Sequence, residues 1–240
     1  MTQKKKFAAL KKEIREKGKT VAKRLLIALV LLHIVHIAWC KWIHPPLTAT
    51  QFGAVLEGYT FNRETVPLDQ ISPHLQLAVI ASEDQLFAVH DGFDVTGIKN
   101  AIAHNQTGKS LRGASTISQQ TAKNIFLWQG RNWLRKGLEV YYTFLMEKLY
   151  GKKRILELYL NQVEMGKGIF GAQAAAHTYF NKSAKSLTRI EAARIAASLP
   201  NPKKLNPAKP DAHMKKKVRW ILSQMAYLQK RPATRKLLSR

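Results

Sequence analysis

Residues 72–94 read SPHLQLAVIASEDQLFAVHDGFD, a helical pattern that ends in a group of ionisable side chains. Ser72 and Pro73 are typical of a helix start, because a serine side chain caps free N–H groups and proline is tolerated in the first turn. The apolar run over 77–81 suits a helix buried in a core. The stretch therefore predicts a core helix, within a mainly α-helical domain, that carries an acidic pair at its end.

The acidic end of that helix has the pattern E-D-x-x-F-x-x-H-x-G-x-D, beginning at Glu83. A carboxylate at the edge of an apolar core has a raised pKa, which suits a general acid or base. The same side chains would also suit a structural hydrogen-bond network at a helix end, and their spacing fits no common zinc site. On the residues alone, the catalytic and the structural interpretation both stay open.

Residues 113–124 read GASTISQQTAKN, a glycine loop that runs into a helix start rich in hydroxyls and amides. The free N–H groups of such a start attract anions. Lys123 lies about one turn beyond Gln119 and Gln120 on the same helix face. An ordinary capped surface helix is the alternative. The segment is not a Walker loop, because the required Gly-Lys-Ser/Thr does not follow a glycine at the right spacing.

The segment over 130–139 reads GRNWLRKGLE, in which Arg131, Arg135 and Glu139 recur at intervals of four residues. Residues so spaced share one face of a helix. Two guanidinium groups beside a carboxylate suit a diphosphate next to a reacting centre. A solvated ladder of salt bridges is the alternative. The aromatic residues around this segment also suit a membrane interface.

A long apolar segment over residues 25–43 reads LLIALVLLHIVHIAWCKWI. A helix of that length spans roughly 28 Å, close to the hydrocarbon thickness of a bilayer. Residues 1–24 carry a net charge of +8, so the positive-inside rule places the N-terminus in the cytoplasm and the rest outside. No small-x-small cleavage site follows the apolar run, and the bulky Trp39 before Cys40 argues against lipoprotein processing. We therefore predict a single-pass anchor.

The formal net charge is +25, from 40 lysines and arginines against 15 acids, and the excess extends beyond the basic head. This balance favours a polyanionic partner: nucleic acid, an anionic membrane surface or a phosphate-bearing substrate. A hydrophobic content of 45% allows a sizeable core. The single cysteine, Cys40, excludes an intramolecular disulfide.

The chain divides into a basic segment (1–24), the transmembrane helix (25–43), an extended connector (44–67) and a helical domain (68–240). Pro45-Pro46 stops the transmembrane helix and starts the connector. Strand signals are confined to residues 52–67. Beyond the core helix, helices are predicted over 97–104, 116–127, 132–150, 153–163, 171–180, 188–199 and 211–229.

Together these patterns resemble the peptidoglycan glycosyltransferases (glycosyltransferase family 51), in which they occur in the same order. The likeness continues through RILELYLN at 154–161, through G-x-x-A-A-x-x-x-Y-F from Gly171, and through LPNP at 199–202. It covers about residues 65–205. No Ser-x-x-Lys motif of a transpeptidase occurs, so the chain is similar to the monofunctional type. Gln173 departs from the pattern, since an acid is common at this position in relatives.

The resemblance implies a lysozyme-like, two-lobed helical fold and the polymerisation of lipid II into peptidoglycan strands, which serves cell-wall biogenesis and cell shape. The glycosyl group passes, with inversion, from an undecaprenyl-diphosphate donor to the 4-hydroxyl of an acceptor sugar. Glu83 is then the base that deprotonates this hydroxyl, and Glu139 is a second carboxylate at the donor side. The matching substrate-binding positions are Ser115, Gln119, Gln120, Lys123, Arg131, Arg135 and Lys136.

The resemblance also implies the cell inner membrane as the location, with the catalytic domain in the periplasm. The expected partners are lipid II, the growing glycan strand and the membrane; protein partners would be cell-wall synthesis or division proteins, and nucleic acid is not expected. No cofactor is required, although Mg²⁺ or Mn²⁺ could help neutralise the diphosphate. The alternative activity is a lysozyme-like hydrolase or lytic transglycosylase, in which the donor-side cations would have no diphosphate to hold.

Overall fold

The computed structural model of the chain describes residues 3–108, 113–130 and 132–239. The chain folds into two compact units, Met1–Ile43 and His44–Arg240. Helices dominate both units, and the described strands are two or three residues long. The predicted mainly α-helical fold class is confirmed.

The first unit consists of one long helix, α1 (Gln3–Cys40). Its polar half carries exposed ion pairs one turn apart, Lys17 with Glu13 and Lys19 with Glu16, which are the pairs that support an isolated helix. From Lys11 to Cys40 the helix is long and apolar enough to cross a membrane, and no other helix in the described part of the chain meets this test. The structure thus bears out the predicted apolar helix near the N-terminus, which fits a membrane-anchored protein.

The second unit holds the remaining helices. Each helix predicted after residue 95 occurs, with bounds that differ by two residues at most. The helices are α2 (Ala49–Leu56), α3 (Pro73–Glu83), α4 (Val95–Gln106), α5 (Ile117–Phe126), α6 (Trp133–Leu149), α7 (Lys152–Gln162), α8 (Ala172–Phe180), α9 (Arg189–Ser198), α10 (Ala212–Leu228) and α11 (Pro232–Leu238).

The prediction of strand and extended connector is wrong for residues 49–56, which form α2. Thr48 and Gln51 explain the difference through a reciprocal capping box. The Thr48 side chain accepts from the backbone N–H of Gln51 at 3.3 Å, and the Gln51 side chain accepts from the backbone N–H of Thr48 at 3.1 Å. Two free N–H groups are satisfied at once, which starts a helix regardless of the β-like composition that follows.

The small sheet has the order β1-β3-β2, with β1 (Asn62–Arg63), β2 (Glu164–Gly166) and β3 (Ile169–Phe170). β1 pairs parallel with β3, and β2 pairs antiparallel with β3. The turn between β2 and β3 requires glycine at position 168, where φ is +68° and a Cβ would lie 2.1 Å from the Thr60 carbonyl oxygen. Two of the three strands therefore lie outside residues 52–67, the range to which strand signals are confined.

The core of the second unit is built on α3, which packs against α9 and α10, while α5 packs against α6 and α7. Leu75 and the run over 77–81 on α3 are buried. Burying one such aliphatic side chain stabilises the fold by about 1.5–3 kcal/mol, so α3 is held firmly along its length. The consequence for the site is that the last residue of α3, Glu83, has a fixed position at the edge of the core.

Candidate active site

Glu83 is half-buried at the end of α3 and accepts hydrogen bonds from uncharged donors. The Ser82 hydroxyl donates to Oε1 at 3.1 Å, and the Gln120 side-chain amide donates to Oε2 at 3.1 Å. No lysine, arginine or histidine among the described residues makes a salt bridge with it. A carboxylate held in this way is oriented without being neutralised, so it keeps the capacity to accept a proton.

Tyr159 on α7 orients the side chain of Gln120 through a hydrogen bond. Its hydroxyl donates to the Gln120 side-chain carbonyl at 3.2 Å, which leaves the amide N–H₂ of Gln120 directed at Glu83. Burial raises the pKa of the Tyr159 phenol well above its ordinary value, and the nearby charges of Glu83 and Asp84 raise it further. The phenol therefore stays protonated and remains a donor.

Asp84, the second acid of the pair, has a structural role. Its carboxylate accepts from His90 Nε2 at 3.0 Å and from the backbone N–H of Ile117 at 2.9 Å. The backbone N–H of Gly92 donates to His90 Nδ1, so the ring proton lies on Nε2 and points to Asp84. The Thr116 hydroxyl in turn donates to the Gly92 carbonyl at 2.6 Å. This network fixes the start of α5 against the end of α3 and thereby brings Gln120 to Glu83.

Asp94 closes the first motif as the N-cap of α4, where its Oδ1 accepts from the backbone N–H of Gly97 at 2.7 Å. In the E-D-x-x-F-x-x-H-x-G-x-D pattern, Asp84, His90 and Asp94 therefore have structural roles. Glu83 has no such role and can act as an acid or base.

Glu139 on α6 has the opposite surroundings. It is only 3% exposed, and it accepts from Arg135 Nη1 at 3.1 Å and from Lys136 Nζ. Arg135 Nε is buried and has no hydrogen-bond partner among the described residues, so the guanidinium retains a free donor. Breaking such a buried pair is costly, because it leaves an uncompensated charge.

Lys123 on α5 belongs to the same group of charges. Burial lowers the pKa of its ammonium group; Glu139 opposes this shift, while the positive charges of Arg135 and Lys136 add to it. The Glu139 cluster (Lys123, Arg135, Lys136 and Glu139) therefore combines three cations with one carboxylate. Such an excess of positive charge suits a phosphate-bearing ligand. Arg131, the fourth predicted cation, lies outside the described residues.

A hydrogen bond between Gln120 and Glu83 links the linings of two cavities. The Glu83 cavity has a volume of 720 Å³, and its walls include Glu83, Ser115 and Arg231. The Lys123 cavity has a volume of 660 Å³, and its walls include Gln120, Lys123 and residues of α2. Gln120 lines the second cavity and hydrogen-bonds the carboxylate in the first. The two cavities have no lining residue in common, and this hydrogen bond connects a wall of one with a wall of the other.

The predicted binding residues are distributed over these spaces. Gln120 and Lys123 line the Lys123 cavity, while the exposed Ser115 lies in the Glu83 cavity. Gln119 is buried, and its side chain accepts from the backbone N–H of Thr116 at 3.0 Å as part of the capping box of α5. Arg135 and Lys136 line a smaller cavity of 310 Å³ with Asn132 and Trp133.

Glu157 and Asn161 brace the chain before α3. Glu157 accepts from the backbone N–H of Leu68 at 2.9 Å, and Asn161 makes hydrogen bonds of 2.9 Å to both backbone groups of Val66. Gln173, the residue that departs from the pattern of the resemblance, accepts from the backbone N–H of Ala184 at 2.8 Å.

Three residues near Glu83 were not predicted from the sequence: Tyr159, Tyr227 and Arg231. Tyr159 falls within the RILELYLN pattern and could have been noticed there as a hydroxyl donor on a core helix. Tyr227 and Arg231 belong to the C-terminal helices, and no motif marks them.

As regards metals, no group of three or more His, Cys, Asp or Glu side chains that could hold an ion occurs among the residues described.

Comparison with known proteins gives one consistent result. A family model described as Transglycosylase matches residues 50–226. Proteins named biosynthetic peptidoglycan transglycosylase are 49% identical in Shewanella amazonensis (85% of this chain and 85% of that protein) and 48% identical in Aeromonas hydrophila (85% and 89%). The protein of the same name in Pseudomonas aeruginosa is 45% identical (84% and 90%). The match to the family model ends before Tyr227, so α11 lies beyond it.

Proposed function

This chain belongs to the transglycosylase family, and from that premise we propose that it polymerises lipid II into the glycan strands of peptidoglycan. The observation that carries the proposal is the junction at Gln120. One side chain joins an un-neutralised carboxylate, Glu83, to the cavity that holds Lys123. An inverting transfer requires this pairing of a base on one side with positive charge for the leaving group on the other.

Glu83 is the base in the proposed reaction. Its carboxylate takes the proton of the acceptor 4-hydroxyl while the acceptor oxygen forms a bond to the anomeric carbon of the donor. The bond from that carbon to the diphosphate breaks on the opposite face, so the configuration inverts. The hydrogen bonds from Ser82 and Gln120 hold the carboxylate in place for the proton transfer.

The Glu139 cluster receives the departing diphosphate. Lys123, Arg135 and Lys136 supply the positive charge, and the resemblance adds Arg131 to them. Glu139 holds Arg135 and Lys136 in position through its two ion pairs and so acts on the diphosphate through the cations. A divalent cation, Mg²⁺ or Mn²⁺, would further neutralise a bound diphosphate.

The proposed location is the inner membrane, with the N-terminus in the cytoplasm and the unit His44–Arg240 in the periplasm. The basic residues before the apolar part of α1 support this orientation. On the second unit, α6 exposes apolar side chains such as Trp133 (91% exposed), Leu134 and Phe144. A row of this kind beside lysines and arginines suits a lipid surface, from which a lipid-linked substrate would be taken.

The alternative, a lytic transglycosylase or hydrolase, is not favoured. The curated relatives are named biosynthetic enzymes. Cleavage of a finished glycan also releases no diphosphate, so three cations gathered around a buried carboxylate would lack a purpose.

The test uses the full chain in detergent or in vesicles with labelled lipid II. We expect polymer that a muramidase digests, and no release of fragments from preformed peptidoglycan. Cleavage of peptidoglycan without formation of polymer would contradict the proposal and establish the lytic activity.

A further inference from the structure

The far wall of the Glu83 cavity is formed by the C-terminal helices. Tyr227 in the last turn of α10 and Arg231 at the start of α11 line the cavity together with Glu83 and Ser115. α10 also packs directly against α3, the helix that ends in Glu83. A segment beyond the family-model match therefore contributes to the space around the proposed base.

Arg231 is the one lysine or arginine among the described residues that line this cavity. Its guanidinium lies over the Tyr227 ring, 5.2 Å from the centroid. The guanidinium makes no hydrogen bond or ion pair with any residue in the described part of the chain. Three acids share the cavity, and none of them forms an ion pair with Arg231: Glu83 accepts from Ser82 and Gln120, Asp84 is hydrogen-bonded to His90, and Asp94 caps α4. Arg231 is thus held by an aromatic face while its donors remain free.

The charge of the surrounding segment has the same sign. Residues 203–239 contain eleven lysines and arginines and a single acid, Asp211. Lys217 on α10 lies close enough to Glu83 for the two charges to interact: burial lowers the pKa of the Lys217 ammonium, and the Glu83 carboxylate partly opposes this shift. The segment that contributes Tyr227 and Arg231 therefore has a net positive charge, which attracts anions at long range.

We propose that Tyr227 and Arg231 form an anion-binding subsite for the acceptor substrate, which places its 4-hydroxyl at Glu83. The inference rests on the proposed function. The aromatic ring offers a flat surface to a sugar, and the guanidinium binds a carboxylate or phosphate through paired N–H groups. The acceptor carries two such anions, the carboxylates of its peptide and its diphosphate. The donor diphosphate is bound separately, by the cations of the Glu139 cluster.

The test measures the initial rate with a labelled donor whose own 4-hydroxyl is blocked, while the concentration of an unlabelled acceptor is varied. Arg231→Gln should raise the acceptor KM about tenfold, the loss expected for one charge-assisted hydrogen bond, with kcat and the donor KM nearly unchanged. Arg235→Gln is the matched control, because Arg235 lies one turn further on α11 and lines a different cavity. Melting temperatures of both variants should equal that of the wild type.

Two altered acceptors identify the anion: one has its peptide carboxylates amidated, and the other lacks the lipid diphosphate. The Arg231→Gln effect should vanish with the acceptor that lacks the bound anion. The proposal is overturned if the acceptor KM is unchanged, if Arg235→Gln raises it equally, or if the effect persists with both altered acceptors. Failure of the proposed function would be distinct, since the wild-type chain would then form no product with any acceptor.

Discussion

Glu83 and Glu139 are two glutamates of one site with contrasting surroundings. Glu83 is half-buried at a helix end and is hydrogen-bonded by a hydroxyl and an amide. Glu139 is buried within a helix and is ion-paired with Arg135 and Lys136. The first carboxylate is oriented but not neutralised, and the second is neutralised by the groups that it holds.

This difference indicates that the two carboxylates have different roles in the reaction. A base must exchange a proton with the substrate, which Glu83 can do because its partners carry no charge. A buried carboxylate that is ion-paired with two cations keeps those cations in place. Glu83 is therefore expected to affect the chemical step, and Glu139 to affect the donor side and the stability of the fold.

The largest expected effect is that of Glu83→Gln. Removal of the base should lower kcat by about 10²–10⁴-fold, the usual contribution of general-base catalysis, while the melting temperature stays near that of the wild type. Polymerisation of labelled lipid II measures the rate. Glu64→Gln, at an exposed glutamate, is the control and should keep full activity. Near-normal turnover of Glu83→Gln would remove Glu83 from the mechanism.

Glu139→Gln should instead destabilise the protein. Loss of the buried carboxylate leaves Arg135 without its partner, which we expect to cost about 3 kcal/mol. For a domain of this size that corresponds to a drop in melting temperature of roughly 6–12 °C, and the donor KM should rise as well. Glu147→Gln is the matched control on α6, because Glu147 is likewise buried and paired with Lys152. It should lower stability with a smaller effect on the donor; equal donor effects would contradict the division of roles.

Lys123→Ala should weaken donor binding by about 30-fold, the value of one charge-assisted contact of roughly 2 kcal/mol, and the resemblance predicts the same direction for Arg131→Ala. Donor affinity with a blocked acceptor is the measurement. Lys148→Ala, at an exposed lysine on α6, should bind normally. Unchanged affinity in Lys123→Ala would argue against a diphosphate contact.

The pH dependence separates the charge of Lys123 from its shape. Because burial lowers the pKa of the Lys123 ammonium, the cation is lost as pH rises through a value below the ordinary lysine range. Donor affinity should therefore fall as the pH rises through that value. Lys123→Arg keeps its charge at high pH, so the fall in affinity should shift to higher pH. If the fall occurs at the same pH in this variant, another group causes it.

The smallest expected effect is that of Tyr159→Phe, which removes the hydroxyl that orients Gln120 toward Glu83. We expect kcat to fall about 3–10-fold, since one neutral hydrogen bond is worth roughly 0.5–1.5 kcal/mol. Tyr179→Phe is the control, because its hydroxyl also donates one hydrogen bond, to the Met165 carbonyl, and Tyr179 lines neither cavity. If both variants lose kcat equally, Tyr159 has no special part in holding Glu83.

Much of the fold was predictable because its signals are local. Capping residues and apolar periodicity act within one or two turns, so the bounds of α4 to α10 follow from the sequence. α2 was missed because its capping box, Thr48 with Gln51, was outweighed by β-like composition. β2 and β3 were missed because strands of two or three residues are too short to show a periodic pattern.

The amino-acid pattern alone reveals the chemical groups of the site: a carboxylate at the end of a core helix, a helix start that carries Lys123, and a glutamate among cations. Which of these groups come into contact depends on the packing of the helices. Gln120 reaches Glu83 across 37 residues of chain, and Tyr159 reaches Gln120 across a further 39. The same holds for Arg231, which joins the Glu83 cavity because α10 packs against α3. These contacts depend on which buried helix faces pack against each other. No local pattern of residue spacing predicts that packing.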